Sequence, residues 1–249
     1  MADEKPDPWA VPAGEVRKLL REGLEAEAFA LIEQHADTLP TKGPIPGFNE
    51  VALALYWTHR ALPESIAVAQ ERLRRLEAPL ATATPEARPD LIRAIGGTNY
   101  NLASFAWPGW GKVELASGPD ELAAGRAAAE KCLAVRTDPA NAEYPFGYDV
   151  PMAHWVAGAW KLCDREFDAA RAHFAQCLEA SQAAGKSGAL YAGYLALADL
   201  LERPSSASAA GAFDTALSAF DARPKADDAD FFREQLITAR AALSSSAVA

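Results

Sequence analysis

The feature that most constrains the fold is residues 150–184, where only three polar residues separate two helical stripes. In the first half, Ala153, Ala157, Trp160, Leu162 and Cys163 recur at helical spacing. They follow Pro151, whose missing N–H and fixed φ suit a first turn. In the second half, Phe167, Ala170, Phe174, Cys177 and Leu178 form another stripe. The break Asp164-Arg165-Glu166 is too short for anything except a tight reversal, so the two helices fold back on one another. Gly158 and Ala170 fall where helices approach closely, and Gly185 suits a C-terminal stop.

Other stretches repeat the pattern. Ala28, Ile32 and Pro40 keep its spacing near the start, and Ala212, Ala216, Ala219 and Pro224 near the end. Residues 48–79 and 93–139 also read as hairpins, with insertions. Further helices are expected over 14–22, 24–36, 190–202, 205–220 and 226–243, with Asn49 capping a strongly apolar one and residues 38–47 forming a proline-glycine loop. No strand pattern survives, so the class is all-α.

Gly158, Ala170 and Phe174 resemble the tetratricopeptide repeat, whose sparse signature is W-x2-L-G-x2-Y…A-x3-F…P. Trp155 stands one place from the family's tryptophan, and the closing proline is absent. The resemblance implies a right-handed α-α superhelix of about five stacked antiparallel hairpins. It would occupy residues 14–244 as one domain, between a loose tail at 1–13 and a frayed end at 245–249. It implies a non-catalytic scaffold that takes a peptide or helix of a protein partner in a concave groove lined by first helices. By the same resemblance, Asn99 or Asn101, with Tyr56, Trp155, Tyr191 and Tyr194, line that groove. Asparagines there hold peptide backbone or a terminal carboxylate. The basic residues that complete such a clamp find no matching positions.

The least ordinary stretch is 90–112. Gly96-Gly97 within a helical pattern costs about 1 kcal/mol per glycine relative to alanine, which calls for close backbone packing or a ligand in compensation. Trp107 and Trp110 then mark an aromatic loop, and 144–148 a second one. An alternative function follows: a helical small-molecule-binding or enzymatic domain whose pocket is closed by the 107–111 and 144–148 loops. The same aromatics equally suit filling gaps between irregular hairpins.

The rest narrows the function. A net charge of −10 argues against nucleic-acid and anionic-membrane partners, which favour basic faces. No stretch approaches the length and apolarity of a membrane span, and the acidic start has no signal-like apolar run. Cys132, Cys163 and Cys177 each lie in an apolar stripe and read as reduced core residues, pointing to the cytoplasm. His173 and Cys177 lie one turn apart without further ligands at metal spacing, so no metal or cofactor is expected. Gly185-Lys186-Ser187 ends a helix and lacks the earlier glycine of a phosphate loop. No nucleophile elbow is present, and no catalytic residue is assigned. Arg72, Arg74 and Arg75 read as solvated partners of nearby glutamates, and the alanine-rich face at 207–219 as a surface suited to homo-oligomers.

Overall fold

The computed structural model describes residues 8–36, 44–112, 115, 117–141, 149–221 and 228–244. Among these there are eleven α-helices and no strands. They are α1 (Ala10–Arg21), α2 (Glu25–Ala36), α3 (Pro44–Trp57), α4 (Leu62–Glu77), α5 (Arg88–Ala106), α6 (Pro119–Thr137), α7 (Asp149–Cys163), α8 (Phe167–Ala183), α9 (Ala189–Glu202), α10 (Ala207–Ser218) and α11 (Ala229–Ser244). Short 3-10 turns accompany them at Leu80–Thr82, Pro108–Trp110 and Pro139–Asn141. The expected all-α class is what the chain adopts.

Two compact units divide the chain. The first holds α1 to α5 and α6 through Gly125; the second holds the Trp107 turn, α6 from Arg126 and everything after it. Helices in each pack on their neighbours in sequence. In the first unit α1 packs on α2, α2 on α3, α3 on α4 and α4 on α5, and α1 also touches α3. In the second, α7 packs on α8, α8 on α9 and α9 on α10, and α9 also meets α11.

The organising hairpin is α7 and α8. Ala170 and Phe174 are fully buried on α8, and the Phe174 ring presses on Gly158 of α7. The reversal between them uses Arg165 in the left-handed region, at φ 61°. Glu166 N–H donates to Lys161 O at 2.9 Å and Arg165 N–H to Leu162 O, closing the terminal turn of α7. Gly185 ends α8 in the same way, at φ 64°, with Lys186 N–H donating to Ser181 O at 2.8 Å. The Gly185-Lys186-Ser187 run is thus a helix stop.

The small-x3-large pair recurs on second helices. Ala28 and Ile32 of α2, and Ala209 and Phe213 of α10, are buried like Ala170 and Phe174. The expected spacing at Ala212 and Ala216 on α10 is not the buried one, since Ala212 is exposed. The inward stripe lies three residues earlier, where the large Phe213 ring fills the space.

Two boundaries also differ. α1 begins at Ala10, within the expected tail, because Trp9 is buried against Gly47 and anchors the chain ahead of Pro12. α3 begins at Pro44, so part of the expected loop is helical and Asn49 lies inside the helix. Prolines are tolerated there because first-turn N–H groups need no intrahelical acceptor.

Gly158 and Gly97 should respond oppositely to alanine. At Gly158 a Cβ would lie 2.9 Å from Phe174 Cε1 and 3.1 Å from His173 Cβ, whereas at Gly97 it would meet nothing within 4 Å. Urea denaturation is expected to show Gly158→Ala destabilised by about 1–3 kcal/mol from overpacking. Gly97→Ala is expected to gain about 0.5–1 kcal/mol from helix propensity. A neutral Gly158→Ala would remove the close approach from the hairpin's stability.

Candidate recess around Arg72

On α4, Ser65, Val68, Ala69 and Leu76 are buried and share one helical stripe. Arg72 falls in the same stripe, four residues from Val68 and from Leu76. Its guanidinium is therefore half-buried and turned toward α3 and α5. Nε donates to Ile45 O at 3.2 Å, and Nη1 donates to Asn49 Oδ1 at 2.9 Å and to Thr98 Oγ1. All three acceptors are neutral. Nη2 has no partner among the described residues.

Burial pushes the Arg72 guanidinium down to about 10, opposed by the charge of Glu50. Glu50 forms no ion pair with it; its Oε1 accepts instead from Asn49 Nδ2 at 3.2 Å. The neighbouring arginines behave differently. Arg74 donates to Glu71 through Nε and Nη2 at 2.7 and 2.6 Å. Arg75 donates to Glu71 at 2.7 Å, pairs with Glu33 and lies 4.5 Å over the Phe48 ring. These contacts hold the Glu71 carboxyl below its ordinary value, chiefly through the Arg74 hydrogen bond. Arg74 and Arg75 are glutamate partners as expected. Arg72 is not, because helical phase carries it inward.

The recess beside Arg72 is shallow, with a cavity volume of about 10 Å³. Asn49 and Leu53 of α3, Ala69 of α4, and Asn101 and Phe105 of α5 line it with Arg72. Along α3, Asn49, Leu53 and Trp57 stand at i, i+4 and i+8; along α5, Gly97, Asn101 and Phe105 do the same. Asn101 is half-buried and its amide has no hydrogen-bond partner among the described residues. Tyr56 stacks on Phe105 at 3.9 Å and 8°. Trp57, 52% exposed, meets Phe105 edge-on at 6.1 Å.

Of the site residues expected from sequence, Asn101 lines this recess, whereas Tyr56 and Asn99 are buried beside it in the same unit. The Asn99 amide donates to Ile95 O at 2.9 Å, tying its own helix four residues back. The others belong to the second unit. Trp107 is buried, donates from Nε1 to Ala159 O at 3.0 Å, and meets the Trp110 and Trp155 rings at 5.4 and 5.8 Å. Tyr194 stacks on Phe174 at 4.8 Å and accepts from Gln235 Nε2 at 2.7 Å, and Tyr191 is buried nearby on α9. Gly111, at φ 61°, lies against Thr238, which seats the Trp107 turn on α11. The loop at 144–148 lies outside the described residues.

Among the described residues no three metal-ligating side chains stand together. Cys177 donates to Pro151 O and burial pushes its thiol up to about 12. His173 instead meets His154, with the two Nδ1 atoms 3.1 Å apart. No helix among the described residues is long and apolar enough to cross a membrane. No protein-family model, curated protein or solved structure matches the chain.

The histidine pair makes stability depend on pH. Burial holds both imidazoles below the ordinary 6.5, and the charges of His154 and Lys161 add to this at His173. The unfolded chain therefore takes up protons first as pH falls. Stability from the pair is complete above about 6.5 and declines as pH drops through the lower folded values. Thermal melts between pH 7.5 and 5 are expected to fall more steeply for the native chain than for a His154→Gln/His173→Gln double variant. Parallel curves would show that the pair titrates alike in both states.

Proposed function

We propose that the chain is a non-catalytic interaction module of the tetratricopeptide-repeat kind, taking an extended peptide or a helix of a protein partner across its first helices. The observation that carries this reading is the pair of facing stripes on α3 and α5, where Asn101 has an unused amide and Trp57 presents a largely open ring. The packing of hairpins on their sequence neighbours supports it, as do the buried small-x3-large pairs on α2, α8 and α10. The repeats are stretched: Ala170 and Ala209 stand 39 positions apart, against about 34 in the family. A cavity of about 10 Å³ falls far below the roughly 300–1,000 Å³ usual for metabolite pockets, which favours an open binding surface over a small-molecule site. The three reduced, buried cysteines fit a module working in the cytoplasm.

Selection of displayed random peptides against the folded full chain tests the reading. We expect a shared motif, with Kd weakened at least tenfold by Trp57→Ala, which leaves the core intact. Failure to enrich any motif, or motifs indifferent to Trp57→Ala and Asn101→Leu alike, would count against the groove.

A further inference from the structure

We propose that His154 of α7 and His173 of α8 form a two-imidazole site for a divalent late transition metal of the zinc and copper class, which clips the two helices of the organising hairpin together. The site goes beyond the interaction-module reading and does not depend on it.

The pair is placed by the close approach of its helices. Gly158 lets α8 come so near that a Cβ there would lie 3.1 Å from His173 Cβ. His154 stands four residues before Gly158, on the same face of α7, so the two imidazoles meet across the seam. Both residues keep partial exposure, which leaves an ion a path from water.

The Nδ1 atoms lie 3.1 Å apart, and neither ring has another hydrogen bond among the described residues. Two neutral imidazoles in this contact must carry a proton on one Nδ1, because two facing lone pairs repel. A metal ion satisfies both lone pairs at once and leaves each Nε2–H to donate to water. Zinc–nitrogen bonds of about 2.0–2.1 Å set two ligating nitrogens roughly 2.9 Å apart at a right angle and roughly 3.4 Å apart at a tetrahedral one. The observed separation falls between these values. The ring centroids are 5.3 Å apart, so the nitrogens face each other closely. Histidine χ2 is broad, and a modest rotation of each ring aims both lone pairs at one point beside the N···N line.

The surroundings suit a cation held by neutral imidazoles. Burial keeps both rings below their ordinary 6.5, so protons compete weakly for the nitrogens at neutral pH. Lys161, whose charge bears on His173, is itself paired with Glu166 at 2.9 Å. Cys177, one turn along α8, stays out of the ligand set: its thiol donates to Pro151 O and is pushed up to about 12, away from the thiolate a metal needs. Two protein ligands are fewer than the three or four of a dedicated zinc centre, so water completes the coordination and the ion exchanges. Imidazole selects zinc and copper over magnesium, which takes oxygen ligands.

The test uses the full chain, stripped with a chelator, at pH 7.5. Zinc chloride is titrated against a magnesium chloride control while long-range 1H–15N spectra follow the imidazole nitrogens. We expect saturation at one equivalent, shifts at Nδ1 of His154 and His173, and a melting midpoint raised by at least about 3 °C in excess zinc. His154→Gln and His173→Gln should each lose the one-equivalent step and the rise in midpoint, whereas His35→Gln should keep both. Cobalt loaded in place of zinc should show no thiolate charge-transfer band. If the glutamine variants fail to fold, the nitrogen assignment in the native chain decides: coordination through Nε2 or at another histidine overturns the site. One-equivalent binding that survives either glutamine variant, a thiolate band with cobalt, or a zinc response no greater than that of magnesium would each overturn it too.

Discussion

A pair of antiparallel helices buries one stripe against itself and leaves another needing cover, and this requirement shapes the chain. In α7 and α8 the first contact is the Phe174 ring on the Gly158 backbone, with Ala170 fully buried a turn earlier. The uncovered stripe is met by the next helix: Phe174 also stacks on Tyr194 of α9, whose hydroxyl is held by Gln235 of α11. Close approach recurs at Gly193, where a Cβ would lie 2.3 Å from Leu236 Cδ1. From α7 to α10 each helix is thereby positioned by its predecessor, a local form of order that needs no sheet and no long-range strand register.

The same logic explains the contrast among the three arginines of α4. Arg74 and Arg75 both pair with Glu71, Arg74 largely exposed and Arg75 partly covered over the Phe48 ring, and such paired charge contributes modestly to stability. Arg72 leaves it toward α3 and α5, where a guanidinium with neutral partners stabilises little and desolvation opposes it. Residues that a fold tolerates without needing are where binding chemistry tends to reside, because stability and function make competing demands on one position. Trp107 is the opposite case. Its ring is covered, its N–H is satisfied by Ala159 O, and its neighbours Trp155 and Tyr194 are equally enclosed.

Much of the fold was legible because helical periodicity is a local property. The α7–α8 hairpin, its turn and the Gly185 stop follow from residues 150–185 alone. Boundaries near 10 and 44 were misjudged because prolines read as loop, while burial of Trp9 against Gly47 decided otherwise. The roles of Trp107 and Tyr194 were not legible, since they depend on contacts with residues many positions away. The two asparagines illustrate the limit: Asn99 turns back to Ile95 O, Asn101 does not, and the neighbouring sequence is alike for both. Arg72 is legible in the helical phase of α4. Its phase with Ser65, Val68, Ala69 and Leu76 places it inward, but the basic run around it suggested a solvated face.

Arg72 is carried inward by helical phase and opposed by desolvation, and the stability of Arg72→Met tests most directly whether the fold needs it. Methionine keeps the length and flexibility of the side chain and removes the buried charge. Urea denaturation is expected to place the variant within about 1 kcal/mol of the native chain, or above it, as for other buried charges replaced by apolar groups. A loss of about 3 kcal/mol or more would make Arg72 a structural tie among Ile45, Asn49 and Thr98, and would contradict the account.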